Sequence, residues 1–250
     1  MIDESTVDVL VDDLETDEEV NALVRAQNVN ATDRLHYNDH GPKHVGIVRS
    51  RALALVDLLD DALDWGVADH GLGFGTADAK VVCAVAAMLH DVGHVVHRDD
   101  HVEYSVQLAA PVIDDVLGRY YDDPDERVAL KGDALHAILC HHVEEEPLTP
   151  EAGVVRVADA LDMERGRSRL PYTKGERSID TVSSQAVEDV TLSPGGDDVD
   201  AAVLVEIALR NSAGVYQIDN LLKPKLEGSG IEDHVRIVAI NEGEDDIVGR

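Results

Sequence analysis

Residues 84–105 read "AVAAMLHDVGHVVHRDDHVEYS", and the position of His90 and Asp91 within them decides the fold. An imidazole and an ionised carboxylate side by side at the end of an apolar run are costly to bury without partners. A divalent metal satisfies both at once. The pair has company: His44 lies upstream, His94, His97 and His101 follow, and His141, His142 and Asp159 come later. A metal site assembled from several helices needs ligands scattered in such an order.

The flanking apolar residues predict the helices that would carry these groups. Val45, Val48, Ala52, Leu55, Val56, Leu59 and Leu63 recur at helical spacing, so a helix over 43–65 turns one face to the core. Further helices are expected over 6–30, 76–90, 102–120, 125–142 and 150–167. In the first, Thr16 stands three residues before Glu19, the signature of a capping box. Between helices, "GVADHGLGFGT" places three glycines within five residues, which ends any helix.

After "RLPYTKGERS" the texture changes. "VTLSPGGDDVDAAVLVEIALRN" is β-branched and punctuated by Pro-Gly-Gly, so it reads as a hairpin. "AGVYQIDNLLKPKLEGSG" reads as a short helix ended by glycine, and "DHVRIVAINEG" as another strand. The expected fold is mainly α: a helical metal-binding bundle over 1–177 and a small C-terminal α+β module over 178–250.

Composition narrows the function classes. The net charge is -30 over 250 residues, and only six of the 21 basic residues are lysine. The acidity runs through both halves and forms no tail, which suits a cytoplasmic protein of a salt-accumulating organism better than one built for a basic partner. Direct nucleic-acid binding is not expected, because phosphate contacts require a basic footprint. Cys83 and Cys140 lie in apolar helical runs and read as buried reduced thiols. The acidic start "MIDESTVDVLVDD" is expected to be neither signal peptide nor anchor, and no apolar run suits a membrane span.

Over roughly residues 30–180 the chain resembles the HD-domain metal-dependent phosphohydrolases. The resemblance rests on His44 in "YNDHGPKHV", His90-Asp91 in "LHDVGH", His101 in "HVEYS", His141-His142 in "ILCHHVEEEP" and Asp159 in "VADALDMERGR". A bare HD dipeptide is a weak signal, whereas five elements in the right order are a strong one. The resemblance implies an HD-domain helical bundle with His44, His90, Asp91 and Asp159 as ligands of one ion, and Asp91 as the bridge to a second. It also matches His101, His141 and His142 to the extra histidines of two-metal members such as the HD-GYP group. "VEEEPLTP" follows His141-His142 and lacks that group's Gly-Tyr-Pro signature, which puts cyclic-dinucleotide hydrolysis in doubt. His40, four residues before His44, extends the set if the helix begins early enough, although Pro42 favours a later start.

The implied activity is hydrolysis of a phosphomonoester or phosphodiester, of a nucleotide, by metal-activated water. One or two divalent ions (Mn, Fe, Mg, Ni, Co or Zn) would serve as cofactors. His94 or His97 is expected to protonate the leaving group, with Arg98, Arg167, Arg169 and Lys174 meeting the phosphate. Two other functions share the ligand set: di-iron oxygenation on the same fold, and a non-catalytic nucleotide-binding module that signals through the C-terminal part. A homo-oligomer is compatible with all three.

Each residue also has a plainer reading. His90 and Asp91 could be a surface pair or a cap, and His101 an ordinary helix-start residue. His136 sits among Ala and Leu and reads as structural, while His36, His70 and His234 read as solvated. Glu144, Glu145 and Glu146 form a solvated run, although one could orient a ligand. Asp162, three residues after Asp159, either orients a ligand or is an inconsequential helix carboxylate. The basic cluster at 165–174 could merely neutralise a helix C-terminus.

Overall fold

A computed structural model describes residues 2–164, 179–196, 200–241 and 244–248. Seven helices precede residue 162: α1 (Glu4–Thr16), α2 (Glu18–Asn28), α3 (Pro42–Leu59), α4 (Thr76–Leu89), α5 (His101–Leu117), α6 (Pro124–Leu139) and α7 (Pro150–Leu161). Four strands follow: β1 (Val187–Pro194), β2 (Val203–Leu209), β3 (Val235–Asn241) and β4 (Glu244–Val248). The architecture is mainly α with a small C-terminal α+β part, as the sequence pattern predicts.

α4 organises the bundle. Every residue from Val81 to Leu89 is buried, so the helix is apolar all round. Such a helix has no solvent face and must sit at the centre of its neighbours. It packs on α1, α3, α6 and α7. Its C-terminal end therefore delivers His90 and Asp91 into the interior, where both are buried.

The expected helix over 6–30 is interrupted. Asp17 leaves helical geometry, and its carboxylate accepts the Glu19 and Val20 N–H groups at 2.9 and 3.1 Å. The cap of α2 is thus Asp17, not Thr16, whose hydroxyl donates back to the Asp12 carbonyl at 2.9 Å. A nearby carboxylate outcompetes a hydroxyl for two orphan N–H groups at a helix start. The wide turn Val29–Arg34 after α2 has no counterpart in the predicted elements.

β1 pairs antiparallel with β2, the expected hairpin. β3 lies parallel to β2, and β4 pairs antiparallel with β3. A parallel pair requires a crossover, and the helical segment 212–226 supplies it. That segment tightens and widens by turns, from Ser212–Gly214 to Lys223–Leu226. Val203, Val205, Ile207 and Leu209 alternate inward along β2 and join the same contiguous core as α3, α4 and α7. The expected boundary at 177/178 lies outside the described residues.

Candidate metal centre

Five separate elements place histidine or carboxylate side chains around Asp91. His44 comes from the first turn of α3, His90 and Asp91 follow α4, His101 opens α5, His141 follows α6, and Asp159 sits in the last turn of α7. His40 precedes α3 and is held by its backbone: its N–H donates to Asn28 Oδ1 at 3.0 Å, and its carbonyl accepts from Gln27 Nε2. The turn after Asp91 seats directly against α5. A Cβ on Gly93 would stand 1.9 Å from the His101 carbonyl oxygen, so only glycine allows this approach. Ser105 Oγ accepts the Gly93 N–H at 2.8 Å and fixes the same contact.

The two oxygens of Asp91 face different partners. Oδ2 lies 3.4 Å from His44 Nε2, 3.2 Å from His90 Nε2 and 4.0 Å from His40 Nε2. Oδ1 lies 3.6 Å from His94 Nε2, 3.5 Å from His101 Nε2 and 3.6 Å from His141 Nε2. On the first side, Asp159 Oδ1 completes a group, 3.4 Å from His44 Nε2 and 3.8 Å from His90 Nε2. Donors about 2.1 Å from one ion stand about 3.4 Å apart in a tetrahedron. The spacings on the Oδ2 side, including 3.3 Å between the His44 and His90 Nε2 atoms, fit the edges of such a polyhedron.

Second ring nitrogens are committed elsewhere. His90 Nδ1 donates to the Ala87 carbonyl at 2.9 Å, His101 Nδ1 to Arg98 at 2.9 Å, His141 Nδ1 to Ile138 at 2.7 Å and His40 Nδ1 to Asn38 at 2.7 Å. His44 Nδ1 donates to Asp162 Oδ2 at 2.6 Å. Carbonyl and carboxylate oxygens are acceptors only, so each Nδ1 carries the proton and each Nε2 presents a lone pair to the centre. Lone pairs converging without donors repel, and a cation resolves the conflict. His94 Nε2 is buried with no hydrogen-bond partner, a second sign that the donor set fits a metal.

Electrostatics hold these groups in ligand form. Burial lowers the His94 pKa to about 4 against the partial opposition of Asp91. Burial, with His90 adding to it, keeps His141 well below an ordinary histidine. Metal ligation requires neutral imidazole, and burial favours that form at His94 and His141.

A cavity of about 690 Å³ opens over the cluster. Its lining includes His40, Asp91, His94, His101, His141, His142 and Asp159 from the bundle. Arg98 also lines it and lies over the Tyr37 ring, 4.1 Å from the centroid. The structure thus brings together His40, His44, His90, Asp91, His94, His101, His141 and Asp159, with His142 at the mouth. His142 is half-buried, its Nδ1 3.1 Å from Glu144 Oε2, and it joins His101 and His141 in one potential ligand group. His97 is not brought in: its side chain is 64% exposed and accepts the Asp99 N–H at 3.0 Å. Arg167, Arg169 and Lys174 lie outside the described residues.

Two structural roles are open in the sequence, and two further residues, Arg156 and Lys225, carry almost no signal there. Asp162 orients His44, and His136 accepts the Leu148 N–H at 2.9 Å away from the cluster. Arg156 is buried on α7 and donates to the carbonyls of Cys140 and His142 at 2.7 Å each, pinning the His141-His142 segment. Lys225, in the last turn of the 212–226 segment, is buried and donates through Nζ to Asp159 Oδ2. Its only trace in the sequence is the "KPK" run, two of six lysines in a very acidic chain.

Comparison with known proteins identifies a domain over most of the bundle. The HD domain model matches residues 52–164. His90, Asp91, His101, His141, His142 and Asp159 fall inside that match, His40 and His44 precede it, and Lys225 follows it. The chain is 34% identical over 237 residues to an uncharacterized protein of Methanocaldococcus jannaschii, MJ1020, covering 94% of this chain and 90% of that one. It is 29% identical over 173 residues to ribonuclease Y of Thermotoga petrophila, but the match covers 62% of this chain and 29% of the ribonuclease. Among the described residues, no helix is long and apolar enough to cross a membrane. The chain carries an HD domain and belongs to the family of the M. jannaschii protein that it matches over nearly its whole length.

Proposed function

We propose that this protein is a metal-dependent phosphohydrolase acting on a phosphomonoester or phosphodiester of a nucleotide. The observation that carries the reading is the division of Asp91: one oxygen faces His44 and His90, the other His94, His101 and His141. A carboxylate so flanked on both sides is suited to bridge two ions. His44, His90, Asp91 and Asp159 would hold one ion, and His101, His141 and Asp91 the other, with His40, His94 and His142 adjoining.

Bound divalent ions would polarise the phosphoryl group and make a water acidic enough to attack near neutral pH. The protein supplies the rest. Nδ1–H donation fixes each imidazole so that its lone pair points inward. Arg98, held over Tyr37 at the cavity wall, meets phosphoryl oxygens. Buried His94 is neutral near pH 7 and stacks on His101 with centroids 4.1 Å apart, so it suits the ligand set better than proton delivery.

A small substrate fits better than a polymer. The cavity volume of about 690 Å³ is that of a small-molecule site. A net charge of -30 repels a polyanion. The similarity to ribonuclease Y supports a second reading, cleavage of an RNA phosphodiester. The deciding experiment incubates protein loaded with Mn, Co, Ni, Mg or Fe with p-nitrophenyl phosphate, bis-p-nitrophenyl phosphate, a nucleotide panel and a single-stranded RNA. Release of p-nitrophenol, inorganic phosphate or nucleoside from the small compounds, with RNA intact, is expected. RNA cleavage alone supports the second reading, oxygen uptake by the iron form supports di-iron chemistry, and no turnover at all leaves a binding module.

A further inference from the structure

Among the described residues of the C-terminal part, Lys225 is the one shown in contact with a would-be metal ligand, and the proposed hydrolysis does not use it. Its ammonium contacts Asp159 Oδ2, while Asp159 Oδ1 faces His44 and His90. Lys225 is 7% exposed and lines the same cavity as Arg98, Asp91 and His142. An ammonium has three donors, and among the described residues Asp159 is its only hydrogen-bond partner. Two N–H groups are left at a desolvated wall of the cavity.

The approach of this segment to the bundle is built into the backbone. A Cβ on Gly153 of α7 would stand 2.0 Å from the Ser229 carbonyl oxygen, so α7 and the turn after Leu226 touch only because residue 153 is glycine. One α7 turn on from Gly153 lies Arg156, and one more lies Asp159, the partner of Lys225. Tyr216, Gln217, Asn220 and Leu221 of the same segment line the cavity beside it. The C-terminal part is therefore a wall of the site.

We propose that Lys225 is a substrate-binding residue of the catalytic site: anchored to Asp159 by one N–H, it presents the other two to the phosphoryl oxygens of the substrate. This inference rests on the phosphohydrolase reading. An anionic phosphoryl group beside a buried ammonium gains charge-assisted hydrogen bonds that water screens little. Lys225 and Arg98 stand on opposite parts of the chain, so a phosphoryl group between them would be gripped by both the bundle and the 212–226 segment.

The test titrates inorganic phosphate into metal-loaded protein by calorimetry, with metal content and thermal midpoint measured on every sample. Wild type is expected to bind phosphate, Lys225→Met to bind it about 10- to 100-fold more weakly with unchanged metal content, and Lys225→Arg to recover most of the loss. Lys225→Gln keeps a donor for Asp159 without the charge, and its phosphate affinity decides the matter if the methionine variant fails to fold. Neutral variants that bind phosphate as wild type does, with metal retained, overturn the role of Lys225 and leave the phosphohydrolase reading standing. So does a loss of affinity that merely tracks lost metal. Wild type that binds no phosphate and hydrolyses no phosphorylated compound overturns both.

Discussion

His44 and Asp162, 118 residues apart, share a 2.6 Å hydrogen bond in which Nδ1–H donates to Oδ2. The bond fixes the tautomer of a ring whose other nitrogen stands 3.4 Å from both Asp91 and Asp159. Asp162→Asn should therefore weaken divalent metal binding about 10- to 100-fold while the helix content is retained. Equilibrium dialysis against Mn with circular dichroism on the same sample checks this. An unchanged affinity would remove Asp162 from the site.

Metal stoichiometry follows from the two sides of Asp91. Elemental analysis of the wild-type protein should give close to two ions per chain. His141→Ala removes a donor from the Oδ1 side only and should leave about one, whereas Asp91→Ala removes the shared carboxylate and should leave none. Two ions retained by the Asp91 variant would refute the bridging assignment.

Much of this cluster is legible in the sequence because helices carry it. His44, His90, Asp91, His101, His141 and Asp159 all sit at or near helix ends, and apolar periodicity locates those ends to within a few residues. His94 was harder: its spacing from Asp91 suits a proton donor as well as a ligand, and only its burial and its 3.6 Å separation from Asp91 Oδ1 place it in the cluster. His97, three residues on, turns to solvent, which no spacing rule reveals. Lys225 was beyond reach because its place depends on how a strand-helix-strand unit docks on α7, through the contact at Gly153. Asp17 caps α2 although Thr16 and Glu19 match the capping-box spacing, because the carboxylate between them is the stronger acceptor.

Gly93 offers a stability test tied to the site. An added methyl group would meet the His101 carbonyl at 1.9 Å and, behind it, the Ser105 nitrogen at 2.6 Å, both backbone atoms of α5. Neither can yield without moving α5 away from the turn that carries Asp91. Gly93→Ala should cost at least about 1–3 kcal/mol and lower the metal content. Thermal unfolding of the metal-free and metal-loaded forms measures both effects, and a variant as stable as wild type would contradict the close approach.

The metal-free protein should weaken in acid for a nameable reason. His94 titrates near 4 in the fold against 6.5 for a free histidine, and His141 is displaced in the same direction. Between these values the unfolded chain binds protons that the folded chain does not, so stability falls as pH drops from about 6.5 towards about 4. Above 6.5 both states are neutral and this contribution is flat. Bound metal competes with those protons, so the loaded protein should hold its midpoint to lower pH than the metal-free one. Chemical denaturation at pH 7.5, 6, 5 and 4.5, with and without chelator, checks the direction.

Charge across the whole surface sets the last expectation. The fold confines a net charge of -30, and at low ionic strength each carboxylate feels many others. Surface cations offset only part of this charge among the described residues: Arg119 bridges Asp17 and Asp115, and Lys131 and Lys223 pair with Asp114 and Asp219. Raising salt from about 0.1 M to 1 M shortens the Debye length from about 10 Å to about 3 Å, which removes most of the repulsion between separate groups. A gain of about 3–5 kcal/mol would raise the thermal midpoint by roughly 10 °C for a chain of this size. KCl and NaCl should act alike, because screening does not depend on which monovalent cation supplies it. A midpoint equal in dilute buffer and molar salt would show that the acidity is not held against repulsion in the free chain, and a basic partner would then have to account for it.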